Sequence, residues 1–164
     1  MPTPPAVDPG LVEATEREAL APFERDVGEN PYTVQQELQD CMQELVGIIR
    51  TEEELKRSLE QIAALKERAA GVGVEGHRQY NPGWHLALDL RSLLTVSECV
   101  ALAALERRES RGGHTRDDYP KPDPDLGKVK VVVSARDGEV SVRREPLDDM
   151  PENLQELFEE KPRT

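Results

Sequence analysis

The sequence is poor in the residues that most quickly betray a chemistry. Aromatic residues make up 4% of it, there are three histidines, and the only cysteines are Cys41 and Cys99. The two cysteines lie far apart inside helical apolar patterns, which points to reduced core thiols rather than a disulfide framework. Neither they nor His77, His85 and His114 have a companion at Cys-x-x-Cys or i, i+4 spacing, so zinc and iron–sulfur motifs are missing. Basic residues are outnumbered, 21 Lys and Arg against 33 Asp and Glu, giving a formal net charge of −12. Binding nucleic acid requires a basic face to neutralise phosphates, and this balance argues against it. No apolar run approaches the length of a membrane span, so direct membrane insertion is not expected. The stretch Met1–Gly10 is rich in proline and has no basic segment followed by an apolar one, unlike a signal peptide.

What is present is a lean set of apolar residues, 37% of the chain, under a heavily charged surface. A chain of 164 residues suits one core with appendages. The spacing predicts a proline-rich leader, then a weak helix over Leu11–Pro22 with Asp8 as cap and Pro9 at its first position. Thr33 with Gln36 has the form of a capping box opening a helix over Val34–Arg50, whose stripe is Val34, Leu38, Cys41, Leu45, Ile48 and Ile49. Thr51 with Glu54 repeats the signature at once. The chain is therefore expected to reverse there, and a second helix to run to about Ala70 as the other arm of a helical hairpin.

Asn81-Pro82-Gly83 reads as a turn, followed by a helix over Trp84–Arg108 whose leucines and valines cover most of its circumference. A helix apolar nearly all round is expected to be buried, so cutting Leu90 or Leu93 to alanine should cost about 2–5 kcal/mol. Lys128–Ser134 and Glu139–Arg144, joined through Asp137-Gly138, alternate as a β-hairpin does. An acidic tail from Asp148 onward has one short helical pattern, Glu152–Glu160. The fold class is thus mostly α: a three-helix-type bundle made of a helical hairpin and a buried long helix, with a C-terminal β-hairpin and an acidic tail. The divisions are a leader and weak helix at residues 1–29, the bundle at 30–120, connector and hairpin at 121–147, and the tail at 148–164.

Chemistry, if any, concentrates in Glu109-Ser110-Arg111-Gly112-Gly113-His114-Thr115-Arg116-Asp117-Asp118-Tyr119-Pro120. His114 with Asp117 and Asp118 has the makings of a general base or a metal site. A charged loop held by its own ion pairs and turn residues is the plainer alternative, and no nucleophile elbow or phosphate-cradling loop accompanies it. Ordering backbone costs about 1–2 kcal/mol per residue, whereas exposed ion pairs return about 0–1 kcal/mol each. On that arithmetic the loop needs a second surface to fix Arg111, His114 and Arg116, and Arg111–Asp125 is expected to be mobile in the isolated chain.

The apolar helix Leu86-Ala87-Leu88-Asp89-Leu90-Arg91-Ser92-Leu93-Leu94, running through Ala103–Arg108 into the Glu109–Pro120 loop, resembles the carboxy-terminal helical domain of succinate dehydrogenase and fumarate reductase flavoprotein subunits. L-aspartate oxidase shares that domain. Every fixed position of Glu-Ser-Arg-Gly-x-His-x-Arg-x-Asp-x-Pro is matched, and the Val34–Ala70 hairpin fits the same arrangement, so the resemblance spans roughly residues 30–145.

The resemblance implies a domain of an FAD-dependent oxidoreductase that oxidises succinate to fumarate, without catalysis of its own. The family's glycine-rich dinucleotide fingerprint, flavin-linking histidine, substrate-binding histidine and arginines, and proton-donating arginine have no counterpart in this sequence. Catalytic, cofactor-binding and metal residues are therefore expected to be none, and FAD to belong to the parent enzyme. The implied interface with the flavin-binding domain of the same subunit consists of Arg111, His114, Arg116 and Asp118. An iron–sulfur subunit is a further implied partner, with a cytoplasmic location peripheral to the membrane through the parent complex. The chain is expected to be a detached domain, either an excised fragment or a separate reading frame. The alternative from another class is a stand-alone acidic helical module for interaction or assembly.

Overall fold

A computed structural model describes residues 7–136, 139–151 and 154. Helix α1 spans Pro9–Leu20, with the Asp8 carboxylate accepting from the Gly10 N–H at 2.9 Å and Pro9 in the first turn. None of its residues is buried. It is tied down instead by Trp84 Nε1, which donates to the Ala19 carbonyl at 2.7 Å, and by an Arg91–Glu18 ion pair.

Helix α2 spans Pro31–Leu45 and differs from expectation at both ends. Its cap is Asn30, whose side chain accepts from the Tyr32 N–H, with Pro31 at the first helical position; Thr33 lies inside the helix. An Asn-Pro pair sets both the cap and the φ angle of the first turn, which displaces the expected Thr33–Gln36 box. At the other end the helix stops at Leu45 rather than Arg50. The chain turns through Gly47, where a Cβ would stand 2.7 Å from the Gln43 carbonyl oxygen, and becomes a short strand β1, Ile49–Arg50. Helix α3, Glu52–Ala69, then starts on the expected Thr51–Glu54 capping box, with both halves formed. Its three first-turn glutamates and its Lys66 and Arg68 near the end suit the helix dipole.

Helix α4 spans Pro82–Glu106, capped by the Asn81 side chain on the Trp84 N–H. What reads as a turn at Asn81-Pro82-Gly83 is thus the first turn of the helix. Val34, Leu38, Cys41 and Leu45 of α2, Leu55, Ile62 and Leu65 of α3, and Leu86, Leu90 and Leu94 of α4 form one apolar core. The expectation that α4 is buried all round fails. Leu88, Leu93, Val96 and Val100 are 42%, 39%, 60% and 45% exposed, because α2 and α3 cover one face of the helix and leave the other open in this chain. Leu93 is therefore not a core residue, whereas Leu90 is 1% exposed.

Past α4, a two-residue strand β2, Thr115–Arg116, pairs in parallel with β1, joining Ile49 to Thr115 and Arg50 to Arg116. A 3-10 turn at Leu126–Lys128 buries Leu126 and leads into the antiparallel hairpin of β3, Val129–Arg136, and β4, Glu139–Pro146. Two strands are marginal alone, and this pair rests on α4, with Arg144 bridging to Glu106 at 2.7 Å. The Asp137-Gly138 turn and, apart from Leu154, the tail pattern Glu152–Glu160 lie outside the described residues.

Candidate functional site

The C-terminus of α4 and the N-terminus of α3 converge on the Glu109–Pro120 loop, and the loop's charges satisfy the groups that both helix ends leave open. Arg116 is 0% exposed. Its Nε and Nη2 form a two-pronged bond to Asp118, at 2.8 and 2.7 Å, and its Nη1 donates to the carbonyls of Ala104 and Leu105 in the last turn of α4. Asp118 in turn accepts from the Glu52 N–H, the first residue of α3, at 2.9 Å. A cation thus sits at a helix C-terminus and an anion at a helix N-terminus, each on the side the dipoles favour. The Tyr119 ring lies against the guanidinium, 5.0 Å from ring centre to Cζ. Arg116 holds the Asp118 carboxyl down at about 2.

Glu109, also 0% exposed, anchors the other end. Its carboxylate accepts from Arg107 and Arg111, each with an Nη2 contact of 2.9 Å, and from the Asp123 N–H at 3.1 Å. These donors, Arg111 first, outweigh burial and bring its carboxyl to about 2. Arg111 also donates to the Leu126 carbonyl, which ties the connector to the loop.

His114 is 6% exposed, and both ring nitrogens are engaged. Nε2 meets the Arg107 carbonyl at 2.9 Å and Nδ1 meets Arg50 Nη1 at 3.1 Å. A carbonyl only accepts and a guanidinium only donates, so the ring is neutral with its proton on Nε2. Burial, together with the cations Arg107, Arg50 and Arg116, lowers its pKa accordingly. No lone pair remains for a metal or a substrate proton, which removes the general-base and metal readings of His114. Among the described residues there is no cluster of three or more His, Cys, Asp or Glu able to hold a metal ion.

The backbone closes the arrangement. Arg111 and His114 exchange N–H···O bonds at 2.9 and 3.2 Å around a turn in which Gly112 has φ of 63°. Ser110 Oγ accepts from the Arg116 N–H and donates to the Tyr119 carbonyl. These bonds stand against the expectation that the loop needs a second surface to fix Arg111, His114 and Arg116. The arithmetic of exposed ion pairs does not apply, because Glu109, His114 and Arg116 are buried by the chain itself and each is bonded to backbone as well as to charge.

Of the four residues expected at an interface, His114 and Arg116 lie inside this network, while the side chains of Arg111 and Asp118 are 46% and 29% exposed. Sequence reasoning missed Arg50 and Arg107 and did not single out Glu109 within the motif. Arg107 lies two positions before Glu109, which opens the motif, and was within reach as its i, i+2 charge partner. Arg50 lies 64 positions from His114, and only the β1–β2 pairing brings them together.

The chain matches a family model described as the fumarate reductase flavoprotein C-terminus over residues 35–163, which extends the expected likeness into the acidic tail. It is 35% identical over 127 residues to the succinate dehydrogenase flavoprotein subunit of Coxiella burnetii, an alignment that takes in 77% of this chain and 21% of that one. It is 38% identical over 96 residues to the L-aspartate oxidase of Acinetobacter baylyi, covering 58% of this chain and 17% of the oxidase. The solved structure of Mycobacterium smegmatis Sdh1 in complex with UQ1 superposes with a TM-score of 0.83 at 48% identity, over 98% of this chain and 28% of that chain. The chain thus spans between about a sixth and just over a quarter of the length of these proteins. Over that span it belongs to the family of fumarate reductase flavoprotein C-terminal domains.

Proposed function

We propose that the chain works as the C-terminal helical domain of a succinate dehydrogenase or fumarate reductase flavoprotein subunit, packing on a flavin-binding domain that carries the FAD and interconverts succinate and fumarate. The observation that carries this is the Glu109–Pro120 motif, whose charges are spent on bonding helix ends rather than on a reactive centre. The chain's own residues do not fit FAD. The N-termini of α2, α3 and α4 are capped by Asn30, Thr51 and Asn81. The G-x-G-x-x-G run Gly71–Gly76 follows helix α3 rather than a strand and ends before α4 begins at Pro82, so it is not the strand-to-helix turn that cradles a pyrophosphate. The domain's role is therefore structural: it offers a rigid surface, with Arg111 and Asp118 at its edge and His114 and Arg116 holding that edge from beneath.

The wider assembly, including an iron–sulfur subunit and a cytoplasmic position at the membrane periphery, follows from the same reading. No helix among the described residues is long and apolar enough to cross a membrane. Calorimetric titration with FAD and an assay of succinate oxidation test the dependent role. The purified chain is expected to take up no FAD and to form no fumarate. Tight FAD binding or turnover by the chain alone would overturn the proposal.

A further inference from the structure

The reversal between α2 and α3 carries an exposed aliphatic pair beside a cation that has no counter-ion among the described residues. Ile48 and Ile49 are 77% and 60% exposed, side by side at the end of a turn that Gly47 makes tight. Arg50 follows and is half-buried. Its Nε donates to the Gly47 carbonyl at 2.9 Å and its Nη1 to His114 Nδ1 at 3.1 Å, both neutral acceptors.

The other arginines around the loop are matched: Arg107 and Arg111 share Glu109, Arg116 has Asp118, and Arg108 reaches Glu52. Arg50 has no carboxylate among the described residues, and the charges that act on it are those of Arg107 and Arg116. In a chain of net charge −12, this is a local excess of positive charge held partly out of water. Beside it, Gly112 and Gly113 have nothing within 4 Å of where a Cβ would stand, so the strip next to Thr115, the partner of Ile49, is bare of side chains.

We infer that Ile48, Ile49 and Arg50 form a docking edge for the flavin-binding domain, with a carboxylate of that domain received on Arg50 and the two isoleucines covered by its apolar surface. The inference rests on the functional reading above and gives it a place on the molecule. Charge complementarity sets what the flavin-binding domain must offer here, an anion flanked by apolar side chains, and the open Gly112–Gly113 strip admits its backbone closely. Covering each isoleucine is worth roughly ten- to a hundredfold in affinity, and the Arg50 pair makes docking sensitive to salt.

The test replaces the matching region of the Mycobacterium smegmatis Sdh1 flavoprotein subunit with this chain and compares hydroxyl-radical labelling of side chains in the fused subunit and in the free chain. Ile48 and Ile49 are expected to label about tenfold less in the fused subunit. Arg50→Met is expected to return most of that labelling, with Arg50→Lys keeping the protection at low salt. Because the isoleucine readout is made on the unsubstituted chain, it holds even if Arg50→Met loosens the loop. If Leu93 and Val96 on the open face of α4 become protected while Ile48 and Ile49 label as in the free chain, docking occurs elsewhere and the inference falls alone. Protection of the isoleucines that Arg50→Met and salt leave unchanged would overturn the carboxylate contact. No protection anywhere on the chain would overturn the functional reading along with it.

Discussion

Taking a carboxylate out of water costs several kcal/mol unless charge and hydrogen bonds replace the lost solvent, and Glu109 meets that condition with two guanidinium groups and a backbone N–H. Glu109→Gln keeps the shape and removes the charge, leaving Arg107 and Arg111 facing each other. It is expected to cost about 1–3 kcal/mol near neutral pH, as measured by urea unfolding, since the arginines left behind are partly exposed to water. The carboxyl is depressed in the folded state from its ordinary 4.5 to about 2. Its stabilising contribution is therefore complete above 4.5 and is lost as the pH falls through about 2. The gap between wild type and Glu109→Gln should narrow across that window, and a gap that stayed constant would show that the charge is not what matters. At this scale little was legible in advance. The motif's residues are plain in the sequence, yet which are buried depends on contacts with Arg50, Glu52 and Asp123, which come from other elements.

The helices were legible to the degree that their signals are local. The Thr51–Glu54 box and the Asp8 cap are written in four or five consecutive residues, and both form. The Thr33–Gln36 pattern is just as local, but Asn30-Pro31 three positions earlier is the stronger start. The end of α2 was misread because Ile48 and Ile49 continue the helical stripe by type while the backbone at Gly47 has already left the helix. Periodicity in α4 named the apolar residues without saying which face is covered. Two substitutions separate the faces. Leu90→Ala empties a site that is 1% exposed and should cost about 2–5 kcal/mol. Leu93→Ala, at a site 39% exposed, should cost under about 1 kcal/mol in the isolated chain. Equal losses in thermal or urea unfolding would contradict the open face on α4.

Across the whole molecule, the loop joins parts that are distant in the chain. Arg116 and Asp118 connect the last turn of α4 to the first turn of α3, Arg111 holds the connector that leads to the β-hairpin, and the β1–β2 pairing sets Ile48 and Ile49 at the surface beside them. The architecture of bundle and hairpin could be read from periodicity, capping and turn residues. Self-support of the loop could not, since it depends on burial of ion pairs that sequence spacing treats as exposed. The claim on which the rest stands is that Glu109–Pro120 is held by this chain's own groups and needs no partner to order it. Amide hydrogen exchange on the isolated chain tests it directly. The N–H groups of Ser110, Arg111, Arg116 and Asp117, bonded to Lys121, His114, Ser110 and Arg50, should exchange as slowly as those of the neighbouring turns of α3 and α4. Exchange of these four amides at the rate of an unstructured peptide, with the helices still protected, would contradict it.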